Sequence, residues 1–362
     1  MPALFLALFL GVILNEWKVA TPDFDWEFPR DHWAHDGYRT EWWYFTGHLQ
    51  APSGRRFAYQ FTLFRIGVVR DPPQLDSAWT ASALVMGHAA VTDLRSKRHI
   101  FSEVLYREIP LLSGYAEFPA PRIGWSRAPP GTDADWYLEW KGEGFELVAR
   151  DDALDLGFRL TTSPVKNLVL QGPNGFSRKS AGGAASHYYS LTRLETEGEL
   201  TFEGERLEVT GLSWMDKEFS SSHLGMEQIG WDWFSLQLAD GRDLMLYLMR
   251  ASDGGVDTAS GTLVSAEGVP QYLSPESFEV EVLDHWTSLE TGARYPSRWR
   301  IRVLGETLVV SPLVSDQENR SRLRGGIHYW EGAVSVERPD GKAIGQGFVE
   351  LTGYGVGNRP PL

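Results

Sequence analysis

The 362-residue chain is long enough for two average domains, and its 42% hydrophobic and 23% charged content is ordinary for a globular protein. A net charge of −14 disfavours nucleic acid as a partner, and the absence of cysteine removes disulfides, thiolate nucleophiles and Cys-ligated zinc. The unusual quantity is ring content: 15 Trp, 13 Tyr and 18 Phe need cores or a cavity to cover them.

The chain opens with MPALFLALFLGVILNEWKVA (Met1–Ala20). Its apolar run, Ala3–Leu14, is short for a bilayer span and fits the apolar region of a signal peptide. No Lys or Arg precedes the run, and Lys18-Val19-Ala20 is a poor cleavage site. Residues 1–20 are expected to direct export to the periplasm or beyond, against an uncleaved anchor or a misassigned start. In RDHWAHD (Arg30–Asp36), His32 and His35 would share one face of a helix, as metal ligands do. Pro29 and the strand that follows predict extended chain instead, which turns the rings apart. Hydrogen bonds near a barrel rim are expected of them, with no metal.

HDGYRTEWWYFTGHL (His35–Leu49) reads as a strand with Trp42 and Tyr44 on one face and Glu41 and Trp43 on the other. Glu41 is expected to pair with Arg39 or another buried cation, and it is the reserve catalytic acid. RRFAYQFTLFRIG (Arg55–Gly67), DWYLEWKGEGFELVAR (Asp135–Arg150) and LDLGFRLTT (Leu154–Thr162) alternate apolar with polar residues. Turn signals at Pro52-Ser53-Gly54, Gly142-Glu143-Gly144, Asp240-Gly241 and Pro339-Asp340-Gly341 punctuate the chain. Mostly antiparallel β structure is predicted, as barrels or sandwiches.

Two later stretches carry candidate chemistry. In ASHYYSLTRL (Ala185–Leu194), alternation puts His187 and Tyr189 on one face, able to hold a water or hydroxyl, and Tyr188 and Ser190 on the other. A buried His–Tyr pair satisfying its own polar groups is the competing reading. In GLSWMDKEFSSS (Gly211–Ser222), Trp214 and Asp216 share a face opposite Lys217. An aspartate beside an indole on an inward face is where a carboxyl stays protonated, and an ordinary ion pair or turn is the alternative. Trp43–Arg65 also echoes Asp232–Arg250, each with an aromatic pair, a strand, a Gly-Arg turn and a second apolar-rich strand. The echo suggests two related β units joined near Ser220–Gly230. No P-loop, dinucleotide-binding glycine fingerprint or nucleophile elbow is present.

These motifs also carry a resemblance. FPRDHWAHDGYRTEWWYFTGHL, SHYYSLTRL, SWMDKEF, GWDWFSLQLADGRDLMLY, YWEGAVSV and GFVELTGY, in order from about Phe24 to about Gly355, resemble the AttH-like family of predicted secreted proteins, related to bacterial carotenoid 1,2-hydratases. The resemblance implies two consecutive lipocalin-like antiparallel β-barrels, set here at residues 21–225 and 226–362. It implies hydration of a C=C bond in an apolar isoprenoid, carotenoid or lipid without cofactor. The catalytic set it implies is His187 and Tyr189 followed by Trp214 and Asp216. Tyr189 and Trp214 exchange the indole and phenol of the hydratases, and Lys217 stands where related chains more often carry His, so the substrate need not be a carotenoid. Trp42, Tyr44, Trp231 and Trp233 are expected to line the pocket, with the protein close to a membrane for substrate access. The rival expectation is a non-catalytic carrier of an apolar ligand.

Overall fold

The computed structural model describes residues 16–70, 77, 79–323, 326–355, 357 and 359–360. The apolar run Ala3–Leu14 lies outside them. Alternating sequence becomes strand almost throughout. The first, 13-stranded sheet comprises β1 (Thr40–Gln50), β2 (Arg56–Gly67), β3 (Ala83–Asp93), β4 (Arg98–Arg107), β5 (Ser113–Tyr115), β6 (Arg122–Arg127), β7 (Asp135–Lys141), β8 (Gly144–Asp151), β9 (Leu156–Pro164), β10 (Val169–Leu170), β11 (Phe176–Arg178), β12 (Ala185–Phe202) and β13 (Glu205–Ser222). The second, 10-stranded sheet comprises β14 (Gln228–Leu238), β15 (Asp243–Ala251), β16 (Val256–Val264), β17 (Pro270–Leu273), β18 (Phe278–Thr287), β19 (Arg294–Val303), β20 (Glu306–Pro312), β21 (Glu318–Arg320), β22 (His328–Glu337) and β23 (Ala343–Leu351).

The first sheet runs β4-β3-β2-β1-β13-β12-β9-β8-β7-β6-β5, with β10 and β11 beside β12. It curls until β3 and β4 lie against β6, forming a nearly closed barrel around Trp43, Phe45, Phe57, Phe61, Trp136 and Phe145. The second runs β17-β16-β15-β14-β23-β22-β20-β19-β18, with β21 beside β22, around Phe234, Trp299, Trp330 and Val349. Positive φ at Gly142 (78°) and Gly241 (90°) lets the β7–β8 and β14–β15 turns close tightly. The two echoing hairpins hold the same place: β1–β2 and β14–β15 each open a sheet, and β1 and β14 each pair with its last strand.

The outer faces of the two sheets pack on each other. Tyr44, Ala58, Tyr188 and Trp214 from the first meet Trp233, Met245, Tyr247 and Phe348 from the second. Polar contacts fix how they sit. Asp243, fully buried on β15, binds Lys166 Nζ (2.7 Å), Arg193 Nη2 (2.6 Å) and Thr192 Oγ1 (2.9 Å). A bulge in β12 between Leu191 and Leu194 aims Thr192 and Arg193 across the junction. Gln60 donates to the Tyr329 hydroxyl (2.9 Å) and accepts from Asn319 (2.8 Å). Such charge-assisted and directional bonds set a geometry that apolar contact alone leaves loose.

Candidate functional site

Register on three adjacent strands decides which side chains meet. Tyr44 of β1 lies opposite Asp216 of β13, which lies opposite Ser190 of β12; Trp42, Glu218 and Tyr188 form the next row. From this outer face Trp42, Tyr44, Tyr188, Asp216 and Glu218 line a cavity of about 470 Å³ between the sheets. Trp231, Trp233, Tyr247, Met249 and Glu350 form its opposite wall. The structure therefore gathers Trp42, Tyr44, Trp231 and Trp233 around Asp216. A larger hollow of about 830 Å³, beside His48 and Glu208, contains none of the sequence-derived site residues.

Asp216 is held by three neutral donors. Tyr188 Oη donates to Oδ2 (2.5 Å), while Ser190 Oγ (2.5 Å) and Trp214 Nε1 (2.7 Å) donate to Oδ1. Burial pushes its pKa up to about 7, against the lowering effect of those three bonds. Trp233 Nε1 donates to Tyr188 Oη (3.1 Å), so an indole of the second sheet steadies the donor of the first. Across the cavity Trp231 Nε1 donates to Glu350 Oε2 (3.0 Å). Burial raises Glu350 to about 7, opposed by the Trp231 bond and reinforced by Asp216 and Glu218. Glu331, which accepts from Tyr44 Oη (2.5 Å), is also pushed well up by burial and by Glu350. Among the wall's charged groups, Lys179 pairs with Glu218 (2.9 Å).

The inner face of the same strands is different. Glu41 is paired with Lys217 Nζ, which sits 3.6 Å from the Trp43 ring centre, and its carboxylate also accepts from the His35 backbone N–H (2.8 Å). His35 Nδ1 is 2.6 Å from Glu41 Oε1. Burial alone would raise Glu41, but Lys217 and His35 outweigh it and hold the carboxyl at about 2. Glu41 is thus an ion-pair partner, its cation being Lys217 instead of Arg39.

His187 and Tyr189 belong to this inner side as well. His187 Nε2 lies 3.1 Å from Tyr38 Oη, and Tyr189 Oη lies 2.6 Å from His32 Nδ1. Tyr189 is opposite Lys217 in the β12–β13 register, whereas Ser190 is opposite Asp216. One residue of offset turns a side chain to the other face, so the expected four-residue set is divided. Asp216 and Trp214 keep company with Tyr188 and Ser190, not with His187 and Tyr189. Arg30–His32 forms a 3₁₀ turn where extended chain was predicted. Even so the two rings separate: His32 stacks on Trp140 (4.7 Å) and His35 on Phe219 (3.8 Å).

Sequence reasoning passed over Tyr188, Ser190 and Glu350. Tyr188 and Ser190 were visible as the opposite face of ASHYYSLTRL, but only the β13 register shows which face meets Asp216. Glu350 sits in GFVELTGY, with no local signal beyond its alternation with the buried Phe348.

The AttH-like family model matches residues 19–354. The chain belongs to the AttH-like family. The crystal structure of a putative AttH from Nitrosomonas europaea is similar, with 32% identity, a TM-score of 0.80, and coverage of 93% of this chain and 99% of that one. Kievitone hydratase from Nectria haematococca shares the fold at 14% identity and TM-score 0.67, covering 93% and 94% of the two chains. CghA, solved with Sch210972, does so at 14% and 0.52, covering 87% and 89%. No curated protein matches in sequence. This AttH-like chain thus has a fold found in a hydratase, with a buried carboxyl group facing an aromatic cavity between its two sheets.

Proposed function

We propose that this AttH-like protein is a cofactor-independent enzyme that hydrates a C=C bond of an apolar isoprenoid, polyene or lipid. The observation that carries the reading is Asp216, a buried carboxyl facing an aromatic cavity, whose burial raises it to about 7 so that a protonated fraction persists near neutral pH. Protonating an alkene carbon takes a neutral acid shielded from water. The π pair takes the proton from Asp216, leaving its carboxylate bonded to Tyr188, Ser190 and Trp214. The carbocation lies among the Trp42, Tyr44, Trp231 and Trp233 rings, whose faces favour positive charge. Water adds its lone pair to the cation and passes its proton to Glu350 on the facing wall. Proton transfer back to Asp216 completes the cycle. The apolar run Ala3–Leu14 supports export as the setting, which fractionation of the native host tests.

The test is mass spectrometry of ligands extracted from protein purified from its host. Finding one apolar molecule with and without an added water, and only the unhydrated form in Asp216→Asn, is the expected result. A single unmodified lipid in both proteins means a carrier and overturns the reading.

A further inference from the structure

The cavity opens at an apolar rim. Val68 and Leu105 line it and are nevertheless 58% and 41% exposed. Val69 and Trp79 extend the same surface at 39% and 60% exposed. The Val68 and Val69 N–H groups both bond the Ser82 carbonyl, at the start of β3. The Trp79 carbonyl accepts from Arg107, two residues beyond Leu105. Four large apolar side chains therefore share one end of the β2–β3–β4 edge, exposed among the described residues.

The N-terminal segment enters at this same place. Trp17 packs its ring onto Gly67, at the end of β2, so closely that a Cβ there would come within 2.3 Å of it. Arg70 lies over the Trp17 ring, 5.8 Å from its centre. Lys18 is then held by Gly37 and Ser221. The apolar run Ala3–Leu14 thus precedes, by two residues, a tryptophan fixed at the cavity mouth. Exposed arginines flank it: Arg39 lines the cavity, and the backbone N–H of Arg322 bonds Glu103 of its wall. In a chain of net charge −14, cationic groups set around an apolar rim fit an anionic surface.

We infer that this rim docks on an anionic lipid bilayer, its apolar side chains entering the interface and its arginines meeting the headgroups. An apolar ligand then passes between bilayer and cavity without crossing water. The inference rests on the apolar-ligand part of the proposed function and holds for enzyme or carrier.

The absence of cysteine makes the test clean. Full-length Val68→Cys, Leu105→Cys and Leu289→Cys each take one environment-sensitive bimane label, Leu289 being a 97%-exposed control in the β18–β19 turn. With phosphatidylglycerol–phosphatidylethanolamine vesicles, the labels at 68 and 105 shift to the blue and the one at 289 does not. The full-length double variant Val69→Ser, Trp79→Ser, at two exposed rim residues outside the cavity lining, floats with vesicles about fivefold less than the parent. It still takes up N-phenyl-1-naphthylamine from solution. Failure of the parent to float, equal flotation of the double variant, or an equal shift at 289 overturns the inference. Docking without dye uptake would instead remove the proposed apolar site and leave the docking surface standing.

Discussion

Two buried carboxyls on neighbouring strands of the first sheet, Glu41 and Asp216, have opposite fates. Glu41 is fully buried and Asp216 is 4% exposed, so burial does not separate them. Partners do. Glu41 points into the barrel at Lys217 and His35 and is held at about 2. Asp216 points outward at hydroxyl and indole groups and rises to about 7. A cation compensates the buried anion, whereas neutral donors only moderate its cost. The site of Glu41 is therefore a place for a fixed ion pair, and that of Asp216 a place for a proton that can leave.

The largest expected effect removes the outer acid. Asp216→Asn keeps shape and most hydrogen bonding, and turnover is expected to fall by about 10³-fold with ligand binding retained, measured by single-turnover assay and ligand titration. Removing the inner acid does the reverse. Glu41→Gln strands Lys217, and calorimetry or denaturant unfolding is expected to show a loss of about 3–5 kcal/mol, with turnover of the remaining folded protein little changed. If that substitution abolished turnover without loss of stability, the division of labour between the faces would fail.

A smaller change retunes the acid. Tyr188→Phe deletes one bond that lowers the Asp216 pKa, so the alkaline limb of the rate profile should move above pH 7 while the maximal rate falls roughly tenfold. The smallest effect is on stability. Asp216 is raised from an ordinary 3.8 to about 7, so its protonated native form contributes stability that is complete below pH 3.8 and lost as pH rises through 7. Glu41, lowered from 4.5 to about 2, contributes stability present above pH 4.5 and lost as pH falls through 2. Denaturant unfolding between pH 4 and 7 is expected to lose up to about 1.4 kcal/mol per pH unit from Asp216, a slope that Asp216→Asn removes.

Much of this was legible in the sequence, for reasons that can be named. Alternation marked the strands, and Asp240-Gly241 marked a turn that needs positive φ. The split of Trp42 and Tyr44 from Glu41 and Trp43 followed from the two-residue period alone. The pairing of Asp216 with Trp214 lay within one strand and could be read there. The pairing of Asp216 with Tyr188 instead of Tyr189 depends on the β12–β13 register, a long-range property that no local window contains. Glu350 comes from the last strand of the other sheet, so its place in the cavity depends on how two sheets dock. His32 was misplaced locally because a 3₁₀ turn interrupts what Pro29 suggested was extended chain.

The most direct measurement of the central claim is infrared difference spectroscopy of the protonated-carboxyl carbonyl stretch, titrated with pH in the parent and in Asp216→Asn. The difference between the two isolates Asp216 from Glu350 and Glu331. A band present at pH 6 that disappears with a midpoint near 7, and is missing from the variant, is the expected result. An Asp216 already ionised at pH 5 would contradict it.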